Sequence, residues 1–136
     1  MERILDWNKY LDTAAKMVSE GIVMLKNDNN ALPLDTDKEV AVFGRIQFHY
    51  YKSGTGSGGM VNVTKVVNIL DGLIDNGIKV NEKLLDTYRK WDKENPFDLG
   101  EGWGGEPWSQ KEMPLDEGLV KETAKTGSTS LICSMV

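Results

Sequence analysis

The chain has 136 residues, carries a formal net charge of −5 and is 40% hydrophobic. This length suits one domain. The acidic balance, without a basic cluster, argues against the phosphate-neutralising surface that nucleic-acid binding needs, and no apolar run approaches the roughly 20 residues that span a bilayer. Cys133 is the only cysteine, which leaves no internal disulfide, and Met1–Trp7 lack the layout of a secretion signal. We therefore expect a cytoplasmic protein without a nucleic-acid or membrane partner.

The first predicted helix runs from Trp7 to Lys26, where apolar residues recur on one face. Asp6 suits the N-cap position, and Asn27–Asn30 then breaks the helix. The next element is a strand, about Glu39 to Phe43, whose sequence after the first residue is continuously apolar. Such a run is typical of a strand that is covered on both faces.

A second stripe of apolar residues, from Val63 to Ile74, predicts a helix that is capped by Asn62 and stopped by Asn76–Gly77. Ile78–Val80 follows and predicts at most a brief strand. A third helix is predicted from Glu82 to Asn95, because its apolar residues again fall on one face. Helices alternating with strands in this way indicate an α/β fold.

From Phe97 to Gly118 the sequence has no periodicity, and a stretch of this length inside a compact domain is usually functional or disordered. Asp116 suits the cap of a fourth helix, and Ser130–Val136 predicts a buried strand. Because this apolar strand stands at the end of the sequence, we expect the sheet, and the protein, to continue beyond it.

The segment Lys52–Gly59 holds four glycines and three hydroxyl residues. Such a run does not serve to bury apolar surface, and it is tolerated where the backbone needs positive φ or must let a ligand come close. It lies between the strand at Glu39–Phe43 and the predicted second helix. This is the arrangement by which α/β proteins hold polar ligands at the ends of their sheets.

Several interpretations of this loop remain open. Gly54, Gly56 and Gly59 have the spacing of a dinucleotide-binding fingerprint, but that motif needs its glycines directly after the strand. Here Arg45–Ser53 intervenes, so a pyrophosphate would miss the helix N-terminus that favours an anion. A surface connection in a non-catalytic interaction domain is a further interpretation. The aromatic residues just before Lys52 indicate instead a loop that is anchored.

Few other residues suggest chemistry. His49 is the only histidine and has no cysteine or carboxylate at ligand spacing, so we predict a loop histidine bonded to backbone, and neither a metal nor a cofactor. Acidic residues after Asn95 could supply the general acid of glycoside cleavage, which needs two carboxylates about 5–10 Å apart, but nothing fixes them in place. Trp103 and Trp108 are suited to stacking on sugar C–H surfaces, and they are equally suited to filling space within their own domain.

Four blocks follow one another in an order and spacing more specific than any one of them: Ala14–Asn27, Ala31–Leu34, Val40–Gly44 and Gly54–Gly58. Together they resemble glycoside hydrolase family 3, the β-glucosidase group, over most of residues 10–125. The resemblance implies an α/β fold, namely an incomplete three-layer α/β sandwich that spans residues 1–136 and belongs to an enzyme hydrolysing O-glycosyl bonds.

The resemblance also implies that the glycine loop reaches toward a sugar site between the sandwich and a (β/α)8 barrel. Ser57 is then the first choice for a contact with a sugar hydroxyl. The further candidates for substrate binding are Lys52, Ser53, Thr55, Gly56, Gly58, Trp103 and Trp108. The implied partners are a β-glucoside or oligosaccharide and the missing barrel domain.

The family's catalytic residues are not expected in this chain. The resemblance implies that the acid/base glutamate follows the strand corresponding to Leu131–Met135 and that the nucleophilic aspartate lies in the barrel. Because the first block begins close to Met1, the chain resembles the subgroup in which the sandwich precedes the barrel. We therefore expect a truncated chain that binds sugar and does not hydrolyse glycosides alone.

Overall fold

The computed structural model describes residues 5–50, 65–100, 107, 109–126 and 129–133. The chain divides into two compact units, residues 1–33 and residues 34–136. The helices are α1 (Trp7–Gly21), α2 (Ile69–Asp75), α3 (Glu82–Glu94) and α4 (Glu117–Thr126), and the strands are β1 (Glu39–Phe43), β2 (Lys79–Val80) and β3 (Thr129–Ile132).

The first unit is built around α1. Its predicted N-cap is confirmed, because an Asp6 carboxylate oxygen accepts a hydrogen bond from the Lys9 backbone N–H at 3.1 Å. The helix ends at Gly21, so the predicted continuation to Lys26 is wrong. Ile22 is already extended, with φ −79° and ψ 124°. Glycine and β-branched residues are weak helix formers, and they follow one another here although the apolar stripe continues.

Asn27 closes the loop that follows α1. Its side-chain amide donates to the Leu32 carbonyl at 2.8 Å and accepts from the Leu32 backbone N–H at 2.9 Å. A 3-10 turn at Asp28–Asn30 lies between the two residues, with Asn29 at φ 55°. The predicted break at Asn27–Asn30 therefore lies after the helix has already ended, and asparagine is one of the few residues that adopt this left-handed conformation readily.

The second unit contains a parallel sheet in the order β2-β1-β3. Strand β1 is central: Val40 pairs with Val80 on one side, and Phe43 pairs with Ile132 on the other. The predicted bounds of β1 are confirmed. Every residue after Glu39 in this strand is buried, as a strand with neighbours on both edges and helices on both faces must be.

Helices cover both faces of β1, which gives three layers. Val40 and Val42 pack in one cluster with Leu70 of α2. The residues between and after them, Ala41 and Phe43, pack in a second cluster with Leu84, Tyr88 and Met113. Because successive side chains of a strand point to opposite faces, α2 lies on one face of the sheet and the Leu84–Tyr88 surface of α3 on the other. The predicted three-layer α/β arrangement is confirmed within residues 34–133.

Helix α2 is shorter than the apolar stripe predicts. It begins at Ile69, whereas the sequence predicts a start near Val63, and residues 65–68 are not helical. Asn68 and Asp71 form a capping box, in which each side chain accepts a hydrogen bond from the other residue's backbone N–H. This reciprocal pair fixes the start of the helix. The predicted stop is confirmed, with Gly77 at φ 74°.

Helix α3 and helix α4 match their predictions closely. Asn81 caps α3 through the Leu84 backbone N–H at 2.9 Å, and the helix ends one residue before the predicted Asn95. Asp116 accepts from the Leu119 backbone N–H at 2.9 Å and so caps α4, as predicted. The described residues between Phe97 and Asp116 form neither helix nor strand, in agreement with their lack of periodicity.

Strand β3 is less buried than predicted. The sequence predicts a buried strand, but the Ile132 side chain is 78% exposed and Ser130 is exposed as well. Among the described residues β3 pairs only with β1, so its outer edge and one of its faces remain uncovered. An uncovered apolar strand edge is a template for pairing with another chain.

A glycine joins β1 to the loop that follows it. Gly44 has φ 101°, and a Cβ built on it would lie 1.8 Å from the Cys133 carbonyl oxygen. The Cys133 backbone N–H donates to the Phe43 carbonyl at 2.8 Å. The ends of β1 and β3 therefore approach so closely that no side chain fits between them.

We predict that Ile132→Lys reduces self-association of the chain. A lysine on the exposed edge strand opposes edge-to-edge pairing through charge repulsion and solvation. Sedimentation velocity over a concentration series should show a larger monomer fraction than in the parent. Ile74→Lys, at an isoleucine of α2 that is 53% exposed, serves as the control and should leave association unchanged. A parent chain that is monomeric throughout the series contradicts the prediction.

We predict that Gly44→Ala lowers the free energy of unfolding by more than about 3 kcal/mol, because it combines a backbone conformation that only glycine adopts easily with a backbone clash. Urea denaturation measures the difference. The control is Gly72→Ala in α2, where a Cβ would meet nothing within 4 Å, and a gain of up to about 1 kcal/mol is expected there. Equal effects of the two substitutions would be inconsistent with the geometry.

Candidate functional site

The predicted sugar-contact residues lie outside the described residues. This holds for Lys52, Ser53, Thr55, Gly56, Ser57 and Gly58 in the glycine loop and for Trp103 and Trp108. The structure does describe the segment that leads from β1 into the loop, Gly44–Tyr50, and it describes Asp98 and Gln110 on either side of the tryptophans. These segments lie at the carboxyl end of β1, which is the edge where α/β sheets bind ligands.

Arg45 is the organising residue of this edge. It follows Gly44 directly, and its side chain is only 3% exposed. One terminal nitrogen donates to the Lys111 carbonyl at 2.9 Å, and the other donates to an Asp92 oxygen at 2.7 Å and to the Asn95 carbonyl at 2.6 Å. Charge-assisted bonds of this kind are shorter and stronger than neutral ones. Arg45 therefore ties the end of β1 to the end of α3 and to the loop before α4.

Two aromatic rings flank the same guanidinium. Its central carbon lies 4.9 Å from the centroid of the Trp91 ring and 5.3 Å from that of Phe97. Aromatic faces attract a cation, and the attraction grows when water is excluded. The planar group of Arg45 is thus held both by directed hydrogen bonds and by stacking. A lysine could not make this combination of contacts.

His49 shares the carboxylate of Asp92. Its Nε2 lies 2.7 Å from the Asp92 oxygen that Arg45 does not use. The imidazole stacks on the Phe97 ring with centroids 4.5 Å apart and planes at 19°. The prediction of a histidine bonded to backbone is wrong, because the partner comes from α3, 43 residues further along the chain. Sequence spacing around His49 cannot reveal such a partner.

The backbone of the same segment is held as well. The Arg45 backbone N–H donates to Glu112 at 2.9 Å, and Glu112 also accepts from the Met113 N–H at 2.8 Å. The buried Gln47 side chain donates to the Gly44 carbonyl at 2.9 Å. These bonds satisfy backbone groups that β-sheet pairing leaves free at the end of β1. The segment that enters the glycine loop is accordingly held by Glu112 of the loop before α4 and by its own bond to the end of β1.

A two-bond clamp joins the chain on either side of the tryptophan region. The Gln110 side chain donates to the Asp98 carbonyl at 2.6 Å and accepts from the Asp98 backbone N–H at 3.1 Å. Phe97, which stacks on His49, immediately precedes this clamp. The segments that flank the glycine loop and those that flank Trp103 and Trp108 therefore meet around one residue, Phe97.

A cavity of about 250 Å³ opens beside this network. Its lining includes Gly44, Arg45, Tyr88, Phe97, Gln110 and Glu112. The Tyr88 hydroxyl accepts a hydrogen bond from the Gly44 N–H at 2.9 Å. Burial raises the pKa of Tyr88 above its ordinary value of 10.0, and burial likewise raises the pKa of the Cys133 thiol. Both groups are consequently held neutral near pH 7, and neither is an activated nucleophile.

The carboxylates at this edge support structure. Asp92 is engaged by Arg45 and His49, and Glu112 is engaged by backbone N–H groups. In the part of the chain that the structure describes, histidine, cysteine and acidic side chains do not form a group of three that could hold a metal ion. None of the helices within those residues is long and apolar enough to cross a membrane.

A larger cavity, about 640 Å³, lies at the opposite, amino end of β1. Its polar groups satisfy one another: the Asn81 amide donates to Glu39 at 2.7 Å and to the Thr126 hydroxyl at 3.0 Å, and Lys83 pairs with Glu122. This end carries the start of β1 and the cap of α3. This cavity is therefore lined by polar side chains that already pair with one another, in contrast to the carboxyl edge, where several loops meet.

Sequence reasoning missed Arg45 and Asp92. An arginine directly after a buried strand and a glycine is a signal that could have been used, because a charge in that place needs partners. Asp92 gives no such signal, since acidic residues are common on the solvent side of an amphipathic helix. The pairing of the two residues depends on how α3 crosses the sheet.

The parallel sheet and its two helical layers define an α/β domain, and the anchored loop lies at the carboxyl end of β1, the edge at which such folds bind ligands. Residues 22–133 match the glycosyl hydrolase family 3 C-terminal domain, and the chain belongs to this family. The resemblance stated from the sequence is confirmed.

Individual relatives agree with this assignment. The chain is 58% identical over 127 residues to a β-glucosidase of Ruminococcus albus, covering 93% of this chain and 13% of that protein. It is 32% identical to β-glucosidase A of Butyrivibrio fibrisolvens, covering 96% of this chain and 15% of the relative. The chain therefore spans about one seventh of the length of these enzymes.

Solved structures agree as well. A β-glucosidase from Paenibacillus barengoltzii superposes with a TM-score of 0.83 at 48% identity, covering 96% of this chain and 14% of the other. β-Glucosidase 3B from Thermotoga neapolitana in complex with glucose gives a TM-score of 0.75 at 28% identity, covering 93% of this chain and 18% of the other. The fold of the chain is the one that these enzymes contain.

We predict that Tyr88→Phe costs about 1–3 kcal/mol of unfolding free energy near pH 7, because it leaves the buried Gly44 N–H without an acceptor. The difference should shrink at alkaline pH. The raised pKa of Tyr88 favours the protonated fold, so its stabilisation is fully present below the unfolded-state pKa, about 10, and is lost as the pH rises from that value through the higher pKa of the folded state.

Urea denaturation of both proteins from pH 7 to pH 11 tests this prediction. Cys133 is common to the two chains, and its own alkaline effect cancels in the difference. Lys83→Met, at an exposed ion pair of α3, is the control for general alkaline sensitivity. A Tyr88→Phe deficit that stays constant or grows up to pH 11 would contradict the assigned direction of the shift.

Proposed function

We propose that the chain contributes the sugar-binding loop of a β-glucosidase-type glycoside hydrolase in carbohydrate metabolism. The observation that carries this proposal is the anchored segment Gly44–Tyr50, which leads into the glycine loop at the carboxyl edge of the sheet. The domain belongs to glycosyl hydrolase family 3. The Thermotoga neapolitana relative binds glucose. A β-glucoside or oligosaccharide is the corresponding substrate class for this chain.

The chemistry of the loop suits a neutral, hydroxyl-rich ligand. Glycines let the backbone come close to a sugar, and Ser57 and Thr55 offer hydroxyls that both donate and accept hydrogen bonds. Lys52 and Ser53 add polar contacts, and Trp103 and Trp108 suit stacking on sugar C–H faces. Ser57 is the principal contact in this proposal.

Hydrolysis needs more than this loop. A retaining glycosidase uses two carboxyl groups about 5–5.5 Å apart, one as nucleophile and one as acid and then base. The carboxylates at the described carboxyl edge, Asp92 and Glu112, are engaged by Arg45, His49 and backbone N–H groups. We propose that the reacting pair lies outside this chain, one member in a barrel domain, and that the chain alone is inactive. The proposed setting is the cytoplasm, in keeping with the single, free Cys133.

A dinucleotide site is less well supported. A 3-10 turn at Arg45–Gln47 separates β1 from the glycines, and α2 begins only at Ile69. The start of α2 is capped by Asn68 and by the carboxylate of Asp71. A carboxylate in that place already complements the positive end of the helix and repels a pyrophosphate. A non-catalytic interaction role lacks a comparable observation in its favour.

We predict that glucose and gluconolactone raise the melting temperature of the chain and that NAD does not, because a ligand that binds only the folded state stabilises it by an amount that grows with the logarithm of its concentration relative to Kd. Ser57→Ala should weaken sugar binding by about 2–12-fold, the loss expected for one hydrogen bond. Thermal-shift titrations give both results, and the parent should release no nitrophenol from an aryl β-glucoside.

The matched control is Ser130→Ala, at an exposed serine of β3, which should leave sugar binding unchanged. A shift with NAD and none with sugar would reject the proposal in favour of the dinucleotide site. Turnover of the aryl glucoside by purified parent, lost in Ser57→Ala, would show that the catalytic pair does lie within the chain.

A further inference from the structure

We infer that Arg45, Asp92 and His49 act as one positioning unit, which couples the segment entering the glycine loop to the segments that flank Trp103 and Trp108. This inference rests on the proposed sugar-binding function of those regions. It assigns a role to three residues that are linked through Asp92 and need not touch the sugar. They are positioning residues. Asp92 connects them, because one of its carboxylate oxygens bonds Arg45 and the other bonds His49.

The first step of the argument is connectivity. Arg45 holds its own segment to the loop before α4 twice, through its guanidinium on the Lys111 carbonyl and through its backbone N–H on Glu112. Each bond joins residues 66 or 67 positions apart in the sequence. A displacement of Arg45 therefore moves the chain before the glycine loop and the chain after Trp108 together.

The second step is the aromatic contact at Phe97. Its ring lies against both the His49 imidazole and the Arg45 guanidinium. Phe97 directly precedes Asp98, which the Gln110 side chain clamps. Because Phe97 stacks on His49 and precedes the clamped Asp98, the orientation of His49 affects the position of the chain before Trp103. The unit has two routes to the tryptophan region, one on each side of it.

The third step separates this unit from the core. None of the three residues belongs to either apolar cluster of the sheet, and the His49 side chain is 31% exposed. Because the His49 side chain is partly exposed, its removal need not unfold the domain, whereas the Arg45 side chain is only 3% exposed and its loss is destabilising. A buried ion pair is weak evidence for stability, and fixing one arrangement among alternatives is its better attested role. The same charges at a ligand-binding edge serve to define the positions of loops.

Amide hydrogen exchange of the full chain tests the coupling without any sugar. Asp92→Asn should speed exchange about tenfold, the effect of losing one charged hydrogen bond, in residues 45–50 and in residues 109–113 together. The urea midpoint should fall, because Asp92→Asn leaves the buried Arg45 guanidinium without its counter-charge, and exchange in α2 should change less than exchange in these two segments. Arg89→Lys is the control, because Arg89 pairs with Asp86 on the exposed side of the same helix.

Two substitutions of His49 distinguish positioning from general packing. His49→Phe keeps a ring against Phe97 and loses the bond to Asp92, so exchange in residues 45–50 should rise. His49→Gln keeps a side-chain N–H near the position of Nε2, so it should restore most of the parent protection. Equal behaviour of the two variants, or an Asp92→Asn effect confined to one segment or spread over the whole domain, overturns the inference.

Glucose affinity supplies the link to function. In a parent that binds glucose, Asp92→Asn and His49→Phe should weaken binding several-fold, and His49→Gln should recover it. Unchanged glucose affinity in these variants overturns the inference even if exchange rises. A parent that shows coupled exchange but binds no glucose rejects the proposed function and leaves the coupling supported, so the two failures are distinguishable.

Discussion

The close approach of two backbones at Gly44 is the constraint on which the carboxyl edge depends. The Cys133 carbonyl occupies the space where a side chain of residue 44 would stand, and only glycine combines this contact with φ 101°. The conformation turns the chain sharply at the end of β1, so the residue after the glycine is directed toward α3. Without this turn, Arg45 would continue along the sheet and could not reach Asp92.

The arginine network in turn explains why a charged side chain is tolerated so deep in the domain. Transfer of a guanidinium from water is costly unless its donors and its charge find partners. Arg45 has Asp92, two carbonyls and two aromatic faces. These partners come from two segments, residues 91–97 and the loop before α4. Burying the charge therefore requires both segments to hold a fixed arrangement around the end of β1.

The sequence predicts the elements with strong local signals and misses those decided at a distance. The bounds of β1 follow from an apolar run, and the caps of α1 and α4 follow from Asp6 and Asp116. The apolar stripe before α2 predicts a helix that begins too early, because periodicity does not take account of the reciprocal cap of Asn68 and Asp71. That pair of residues is readable in the sequence. The partner of His49 could not be predicted, since it depends on the packing of α3 against the sheet.

The contacts of Asp92 and Glu112 also bear on which residues of the proposed enzyme position the loops and which catalyse bond cleavage. A general acid must reach the leaving oxygen with a free carboxyl group, whereas these two side chains already accept hydrogen bonds from protein groups on both oxygens. A residue that fixes loops cannot at the same time move toward a substrate. In the proposed enzyme, the acids at the described edge would therefore fix the loops, and the bond-breaking groups would be residues that this network leaves free.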